Sequence, residues 1–180
     1  LYTSSVIAIR PTTGEIACHY QYTPNDVYDV DGTDEHVLAD IQVDGQPRKV
    51  MIQANKNGFL YVIDRTDCSL IAAPPYVQVN WATHIDLASG RPVLTDLYER
   101  FKAGDEVSIF PSRGSNAVPT AFNPSTGPIY TSTWNIPRIQ QIAPPKEQVL
   151  GCAPPGLTDR SPPCIPLRVP STPWPRGPPP

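Results

Sequence analysis

One short pattern recurs along this chain and limits the folds that it can adopt. The pattern runs from the apolar end of a β-type segment through a polar residue and two spacers to Ser/Thr-Gly or a variant of it. Its four copies are residues 8–16, 62–70, 84–92 and 121–129. The intervals from Gly14 to Cys68 and from Cys68 to Gly127 suit one four-stranded blade plus a long loop. The repeat therefore favours a propeller over a sandwich, with the third copy expected inside a longer insertion.

Residues 1–143 are dominated by short segments in which apolar and polar residues alternate. Turn formers such as TTGE, VDGQP, NKNGF and STGP separate these segments, and residues 94–104 are the one good helix candidate. The predicted strands are residues 4–9, 15–22, 37–43, 49–54, 59–64, 107–110 and 128–134. We therefore predict an all-β fold in this region, a partial β-propeller of about two to three blades.

The sequence changes character near residue 144, because 13 of its 24 prolines lie beyond residue 143. Such a composition buries too little apolar surface to offset the ordering of the backbone. We interpret residues 144–180 as a proline-rich tail that is either disordered or the product of a frameshift. At the other end, Leu1 opens a strand that is already in progress, so we expect the N-terminus to be a cut end.

Composition excludes several functional classes. The formal net charge is -3 and no cluster of Lys and Arg forms a stripe, so no nucleic-acid partner is expected. No apolar run is long enough to span a bilayer. The four cysteines and three histidines show neither CxxC nor a zinc-type spacing. Single thiols are therefore predicted, and a disulfide between Cys152 and Cys164 stays open.

Four long strings, in order along the chain, resemble consecutive stretches of the quinoprotein methanol and ethanol dehydrogenases, which depend on pyrroloquinoline quinone (PQQ). They are YQYTPNDVYDVDG (20–32), VLADIQVDGQPRKVMIQANKNGFLYVIDRT (37–66), VNWATHIDLASGRP (79–92) and SRGSNAVPTAFNPSTGPIYTSTWNIP (112–137). The resemblance implies an eight-bladed β-propeller that holds PQQ and a calcium or lanthanide ion. It also implies oxidation of a primary alcohol to an aldehyde in the periplasm, with electrons passing to a cytochrome c. On this view the chain is an internal fragment, inactive alone.

The resemblance assigns roles to two charged residues. Asp29, the second aspartate of NDVYD, matches the catalytic base of the family, and alcohol oxidation needs a carboxylate within reach of the substrate hydroxyl. Lys56 matches a cation that hydrogen-bonds the quinone oxygens and stabilises the charge that develops on reduction. The alternatives are an acidic loop for Asp29 and, for Lys56, an ordinary position beside a type I′-like Asn57-Gly58 turn.

Three further positions carry weaker implications. Asn116 matches a family asparagine that contacts the quinone, and Ala117 stands where the family usually has Trp. Asp31, two residues after Asp29, matches an additional metal ligand of the lanthanide-using members. Turn formation is the alternative for Asn116 and Asp31. The metal ligands predicted here are thus Asp29 and Asp31, and the cofactor contacts are Lys56, Asn116 and Ala117.

Two cysteines depart from the family pattern. The repeat normally ends in a Trp that packs between blades, but the first copy has Cys18 there, and Cys68 replaces a turn glycine in the second copy. A second functional class also stays open, because a propeller segment can serve protein interaction without catalysis. The combination of Asp29 and Lys56 favours the enzyme, since an interaction scaffold needs no such pair.

Overall fold

A computed structural model describes residues 2–142 of the chain. Within these residues the chain forms twelve strands and one short helix. The elements in chain order are β1 (Ser5–Ile9), β2 (Ile16–Gln21), β3 (Val37–Val43), β4 (Gln46–Ala54), β5 (Leu60–Asp64), β6 (Leu70–Ala72), β7 (Ala82–Asp86), β8 (Arg91–Leu94), α1 (Leu97–Lys102), β9 (Val107–Ile109), β10 (Ala121–Phe122), β11 (Ile129–Tyr130) and β12 (Arg138–Gln140). The predicted all-β class is confirmed for this part of the chain.

The central element is an antiparallel four-stranded sheet in the order β3-β4-β5-β6. Two-stranded sheets surround it in sequence: β1-β2, β7-β8, β10-β11 and the pair β12-β9. Successive side chains of β4 point to opposite faces. Met51 accordingly joins the larger apolar core, whereas Val50 and Ile52 join a second cluster. Both faces of the sheet are therefore covered at β4, one of its two inner strands.

All four copies of the repeat form the same turn. In each copy the backbone N–H of the seventh position donates to the carbonyl of the third, over 2.8 Å for Gly14, 2.9 Å for Cys68, 2.8 Å for Gly90 and 2.8 Å for Gly127. These four residues have φ angles of 75°, 63°, 68° and 87°. The turns join β1 to β2, β5 to β6, β7 to β8 and β10 to β11. The sequence repeat is therefore a structural repeat.

The larger core is rich in aromatic side chains. Tyr20 of β2 and Tyr22, which follows that strand, pack against Tyr61 of β5, with ring centroids 5.6 and 4.8 Å from the Tyr61 ring. Phe59 meets Trp81 edge to face at 5.9 Å. These rings are buried, and they join the β1-β2 hairpin and the segment before β7 to the four-stranded sheet. This packing fixes the two ends of the long loop between β2 and β3.

The cysteines correct one prediction from the sequence. Cys18 on β2 and Cys68 in the turn after β5 form a disulfide, with their Cα atoms 5.7 Å apart. The expectation of single thiols is wrong for these two residues. The bond joins different sheets across 50 residues of sequence, so no local spacing announces it. Cys152 and Cys164 lie outside the described residues, as does the proline-rich tail.

Several element boundaries differ from the predicted ones. The helix predicted for residues 94–104 shrinks to Leu97–Lys102, because Leu94 belongs to β8. The strand predicted for residues 128–134 is reduced to Ile129–Tyr130, while β6, β7, β8, β10 and β12 were not predicted as strands. Strands of two to five residues show too few alternations for a period to be read. Among residues 2–142, no helix has the length and apolarity needed to cross a membrane.

Candidate functional site

The loop between β2 and β3 is shaped by Asp26. Its carboxylate accepts the backbone N–H groups of Tyr28 at 2.9 Å and Val30 at 2.8 Å. Between these two anchors Asp29 takes a left-handed conformation with φ 58°. That conformation costs a non-glycine residue on the order of 1 kcal/mol, and it is concentrated at functional sites. The loop thus directs the Asp29 carboxylate towards solvent, and 62% of the Asp29 side chain is exposed.

Lys56 lies in the turn between β4 and β5. The N–H of Gly58 donates to the carbonyl of Asn55 at 2.9 Å, and Gly58 has a φ of 98°. Asn57, in contrast, does not have a positive φ, so the turn is not the predicted type I′. It is a type I-like turn followed by a left-handed glycine. The reason lies in Asn57, whose side chain is engaged in a buried network.

The Asn57 side chain connects the turn to the core. Its Nδ2 donates to Thr23 Oγ1 at 3.0 Å and to Tyr61 Oη at 2.9 Å, and its Oδ1 accepts the Phe59 N–H at 3.2 Å. The Trp81 indole N–H donates to the Asn57 carbonyl at 2.9 Å. Buried amide groups held by several partners have little freedom to move. The turn is therefore a rigid platform for Lys56.

Two glycines bring neighbouring segments against this turn. A Cβ on Gly32 would lie 3.1 Å from the backbone nitrogen of Lys56 and 3.0 Å from Asn55 Nδ2. A Cβ on Gly114 would lie 2.9 Å from the carbonyl oxygen of Asn55, and the Gly114 N–H donates to the Lys56 carbonyl at 2.9 Å. The loop after β2, the turn after β4 and the segment after β9 therefore meet at Lys56.

This convergence brings together the three charged residues singled out in the sequence. Lys56 Nζ lies 3.5 Å from Asp29 Oδ1 and 3.9 Å from Asp31 Oδ1. Only 10% of the Lys56 side chain is exposed, so its ammonium group has lost much of its hydration. The carboxylates of Asp29 and Asp31 are the counter-ions that it meets here.

Arg138 is the site residue that the sequence did not indicate. Its Nη1 and Nη2 donate to Asp29 Oδ2 at 3.0 and 3.1 Å. Hydrogen bonding from Arg138, and then the charge of Lys56, lower the pKa of Asp29 below its ordinary value. Asp29 is therefore ionised at neutral pH. Arg138 lies on β12, 109 residues away in sequence, and no local pattern marks it.

Asn116 and Ala117 follow Gly114, which contacts Lys56, but they make no hydrogen bond to Lys56, Asp29 or Asp31. Asn116 is half-buried, and its side chain makes no hydrogen bond to the residues that the structure describes. Ala117 is exposed and has a φ of 56°. The segment is anchored by Asp34, a buried carboxyl that accepts the Val118 N–H at 3.3 Å. Burial raises the pKa of Asp34, and backbone donors including that of Ala117 offset part of the rise.

Asp29 borders two open clefts of different character. One, of about 520 Å³, is lined by Asp26, Asp29 and Asp31 together with Thr3 and Ser4. The other, of about 470 Å³, contains Arg138 and Trp134. Carboxylates suit a hard cation, whereas cations beside an aromatic ring suit a planar anion.

In the second cleft, the guanidinium group of Arg113 lies over the ring of Trp134. The Arg113 guanidinium carbon lies 5.2 Å from the centroid of the exposed Trp134 ring. On the acidic side, no three Asp, Glu, His or Cys side chains among residues 2–142 are placed to form a metal shell by themselves. Asp29 and Asp31 fit a hard cation as part of a shell, and the remaining oxygens have to come from outside these residues.

Comparison with known proteins relates the chain to a family. Residues 1–74 match the family model described as the β-propeller domain of PQQ-dependent glucose, ethanol and alcohol dehydrogenases. The chain is 44% identical over 143 residues to quinohemoprotein alcohol dehydrogenase ADH IIB of Pseudomonas putida, covering 77% of this chain and 20% of the relative. It is 44% identical over 148 residues to 1-butanol dehydrogenase (cytochrome c) of Thauera butanivorans, covering 78% of this chain and 20% of the relative.

Solved structures agree. The quinohemoprotein alcohol dehydrogenase of Comamonas testosteroni superimposes with a TM-score of 0.71 at 39% identity, over 76% of this chain and 20% of that one. A europium-containing methanol dehydrogenase gives a TM-score of 0.68 at 40% identity, over 72% of this chain and 23% of that one. The chain spans about a fifth of the length of the relatives that it matches. It forms part of a β-propeller and belongs to the family of PQQ-dependent, or quinoprotein, alcohol dehydrogenases.

Proposed function

We propose that this chain supplies the catalytic base and one cofactor-binding cation to an enzyme that oxidises primary alcohols to aldehydes. The observation that carries the proposal is the contact of the Asp29 carboxylate with the buried Lys56 ammonium at 3.5 Å. An ionised carboxylate in a left-handed loop position, held by Lys56 and Arg138 and open to two clefts, is an arrangement suited to proton transfer. A solvated surface aspartate would need none of these constraints.

Asp29 acts as the general base in this proposal. Its lowered pKa keeps it ionised at neutral pH, so that it can accept the hydroxyl proton of an alcohol that enters along either cleft. Arg138 and Lys56 hold its two oxygens in fixed directions, and this preorganisation reduces the rearrangement needed during the reaction. PQQ, when bound, supplies the electrophilic quinone that accepts the two electrons of the alcohol.

Lys56 and its neighbours would hold the cofactor. PQQ is planar and anionic, and the buried ammonium of Lys56 offers it a cation on a rigid turn. Asn116 and Ala117 are proposed to border the cofactor on the adjacent segment.

Asp29 and Asp31 would give oxygen ligands to a calcium or lanthanide ion, and the second carboxylate stabilises a trivalent ion more than a divalent one. If a full-length version of the enzyme were more active with a light lanthanide than with calcium, that result would support Asp31 as a metal ligand.

The electron acceptor and the compartment are part of the same proposal. A relative is named a cytochrome c-dependent 1-butanol dehydrogenase, so we infer a cytochrome c as acceptor and a small primary alcohol as substrate. The Cys18–Cys68 disulfide is typical of oxidising compartments, which supports a periplasmic location.

A chimera tests the proposed base. Residues 2–142 would replace the aligned segment of the Pseudomonas putida ADH IIB enzyme, and alcohol oxidation would be followed with a dye as acceptor. We expect the chimera to be active with PQQ and metal. Asp29→Asn keeps the shape of the side chain but removes its basicity, so it should lower kcat by at least about 100-fold.

The matched control is Asp40→Asn, because Asp40 is an exposed aspartate on β3 paired with Arg65 at 2.8 Å. That variant should keep the activity of the chimera within about two-fold, as expected for an exposed ion pair. An Asp29→Asn chimera that folds, binds PQQ and oxidises alcohol at the unsubstituted rate would contradict the proposal. It would leave a structural or interaction role for this segment.

A further inference from the structure

We propose that the Cys18–Cys68 disulfide is a covalent cross-link between β2, which follows the first copy of the repeat, and the turn of the second copy. It forms at the repeat position that is glycine in the other three copies. The proposal does not depend on alcohol oxidation. It assigns a function to two residues that the catalytic site leaves unexplained.

Cys68 occupies a position that otherwise belongs to glycine. The seventh residue of the repeat is Gly14, Gly90 and Gly127 in the other copies, and all four residues have φ between 63° and 87°. All four also donate the same backbone hydrogen bond. A side chain at such a position is unfavourable, because the left-handed region is crowded for L-residues. A cysteine that nevertheless stands here is explained by a bond that only its sulfur can form.

In the third copy, an aromatic side chain occupies the space beside this position, whereas a Cβ on Gly14 or Gly127 would meet nothing within 4 Å. A Cβ on Gly90 would lie 3.1 Å from Tyr20 Cε2, and the Tyr20 hydroxyl donates to the Gly90 carbonyl at 2.8 Å. The bare glycine thus lets an aromatic side chain from β2 pack directly on the turn. Cys18 is two residues before Tyr20, so both point to the same face of the strand. That face therefore contacts two copies of the repeat, one through an aromatic ring and one through sulfur.

The bond closes the segment that contains the candidate site. Asp29, Asp31 and Lys56 all lie between Cys18 and Cys68 in sequence. The disulfide joins β2, which leads into the Asp29 loop, to the turn after β5, the strand that follows the Lys56 turn. Cross-linking the two ends of a segment restricts the unfolded chain and keeps the folded ends together.

The chemistry of bond formation is a two-electron oxidation. The thiols of Cys18 and Cys68 together lose two protons and two electrons. The electrons pass by thiol–disulfide exchange to a disulfide-bearing oxidant, which is reduced to its dithiol. A dithiol reductant reverses the reaction and returns both cysteines to thiols.

The first experiment tests pairing in the full 180-residue chain with all four cysteines present. The reduced chain is oxidised in a glutathione buffer, once under native conditions and once in concentrated guanidinium chloride, and the linked peptides are identified by mass spectrometry. We expect the Cys18–Cys68 linkage to dominate under native conditions and to lose its excess in denaturant. The same distribution of pairings under both conditions, or a native product linked to Cys152 or Cys164, would overturn the proposal.

The second experiment tests the role of the bond in a Cys152→Ser/Cys164→Ser background. Reduction should lower the midpoint of thermal unfolding by about 10 °C. It should have no effect on Cys18→Ser/Cys68→Gly, which already lacks the bond. Cys18→Trp/Cys68→Gly places an aromatic ring opposite a glycine and should raise the midpoint above that of Cys18→Ser/Cys68→Gly. A midpoint insensitive to reductant would disprove the cross-linking role. No gain from the Trp and Gly pair would contradict the idea that the sulfur bridge stands where an aromatic contact could join the same two segments.

Discussion

At the scale of single residues, the charge of Asp29 is set by partners from distant parts of the chain. Lys56 reaches it from the turn after β4, and Arg138 reaches it from β12. The pKa of Asp29 is lowered mainly by the Arg138 hydrogen bonds. A base with a lowered pKa stays ionised to more acidic pH, although lowering the pKa further also makes it a weaker base. Arg138 therefore determines the pH range over which this carboxylate is available.

Arg138→Gln should raise the pKa of Asp29 towards its ordinary value, because the first of the lowering causes is lost. The sign follows from linkage: a carboxylate with a lowered pKa stabilises the fold above its unfolded pKa, and that contribution disappears as the pH falls through the folded pKa. The variant should therefore lose less stability on acidification. A carbon-detected NMR titration of the Asp29 carboxyl measures the shift. Arg65→Gln, which breaks the exposed pair with Asp40, should leave the titration of Asp29 unchanged.

At the scale of elements, the turn Asn55–Gly58 is the part on which the candidate site depends. Gly58 has a φ of 98°, and a Cβ there would lie 2.6 Å from Val79 Cγ2 and 2.9 Å from Pro111 Cδ. Gly14 has a φ of 75°, but a Cβ there would meet nothing within 4 Å. Substitution of Gly14 would therefore introduce backbone strain alone, whereas substitution of Gly58 would add a steric clash.

Gly58→Ala should destabilise the chain by about 3 kcal/mol, the sum of left-handed strain and overpacking. Gly14→Ala should cost only about 1 kcal/mol, since strain is its one penalty. Urea unfolding followed by circular dichroism gives both free energies of unfolding. Equal losses in the two variants would show that the turn tolerates a side chain and is not tightly enclosed.

The sequence predicted these elements where the signal was local. Thr-Gly and Asn-Gly pairs fix turns by their own conformational preferences, so the turns at Gly14 and Gly127 and the turn at Lys56 were placed correctly. The third copy was expected inside a longer insertion, but it joins β7 to β8 in a hairpin. The exact turn type at Asn57 was missed, because it depends on buried partners such as Thr23 and Tyr61. Arg138 and the partner of Cys18 were missed for a related reason. Both are brought to their contacts by sheet packing, which leaves no trace in neighbouring residues.

At the scale of the whole molecule, stability depends on buried polar groups in the aromatic core. His36 is largely buried, and its Nε2 lies 2.6 Å from the Tyr22 hydroxyl. Burial lowers the pKa of His36, and the nearby Glu35 charge offsets part of this effect. The unfolded chain then binds a proton more readily than the folded chain does.

Acidification should therefore destabilise the fold through His36. This contribution to stability is intact above the unfolded pKa of about 6.5, falls as the pH drops below it, and levels off below the folded pKa. His36→Gln should make the urea midpoint less sensitive to pH between 7.5 and 5.5. The exposed His84 provides the control, since His84→Gln should retain the pH dependence of the unsubstituted chain. Identical slopes for all three proteins would exclude His36 as the cause.

The placement of Trp81 gives the molecule a natural optical reporter. Its indole is 1% exposed, donates to the Asn57 carbonyl at 2.9 Å and meets the Phe59 ring edge to face. Trp134, in contrast, is 51% exposed. An indole shielded from solvent emits at shorter wavelength than a hydrated one. The short-wavelength part of the tryptophan emission therefore reports whether Trp81 is still packed against the Lys56 turn, with no label added to the protein.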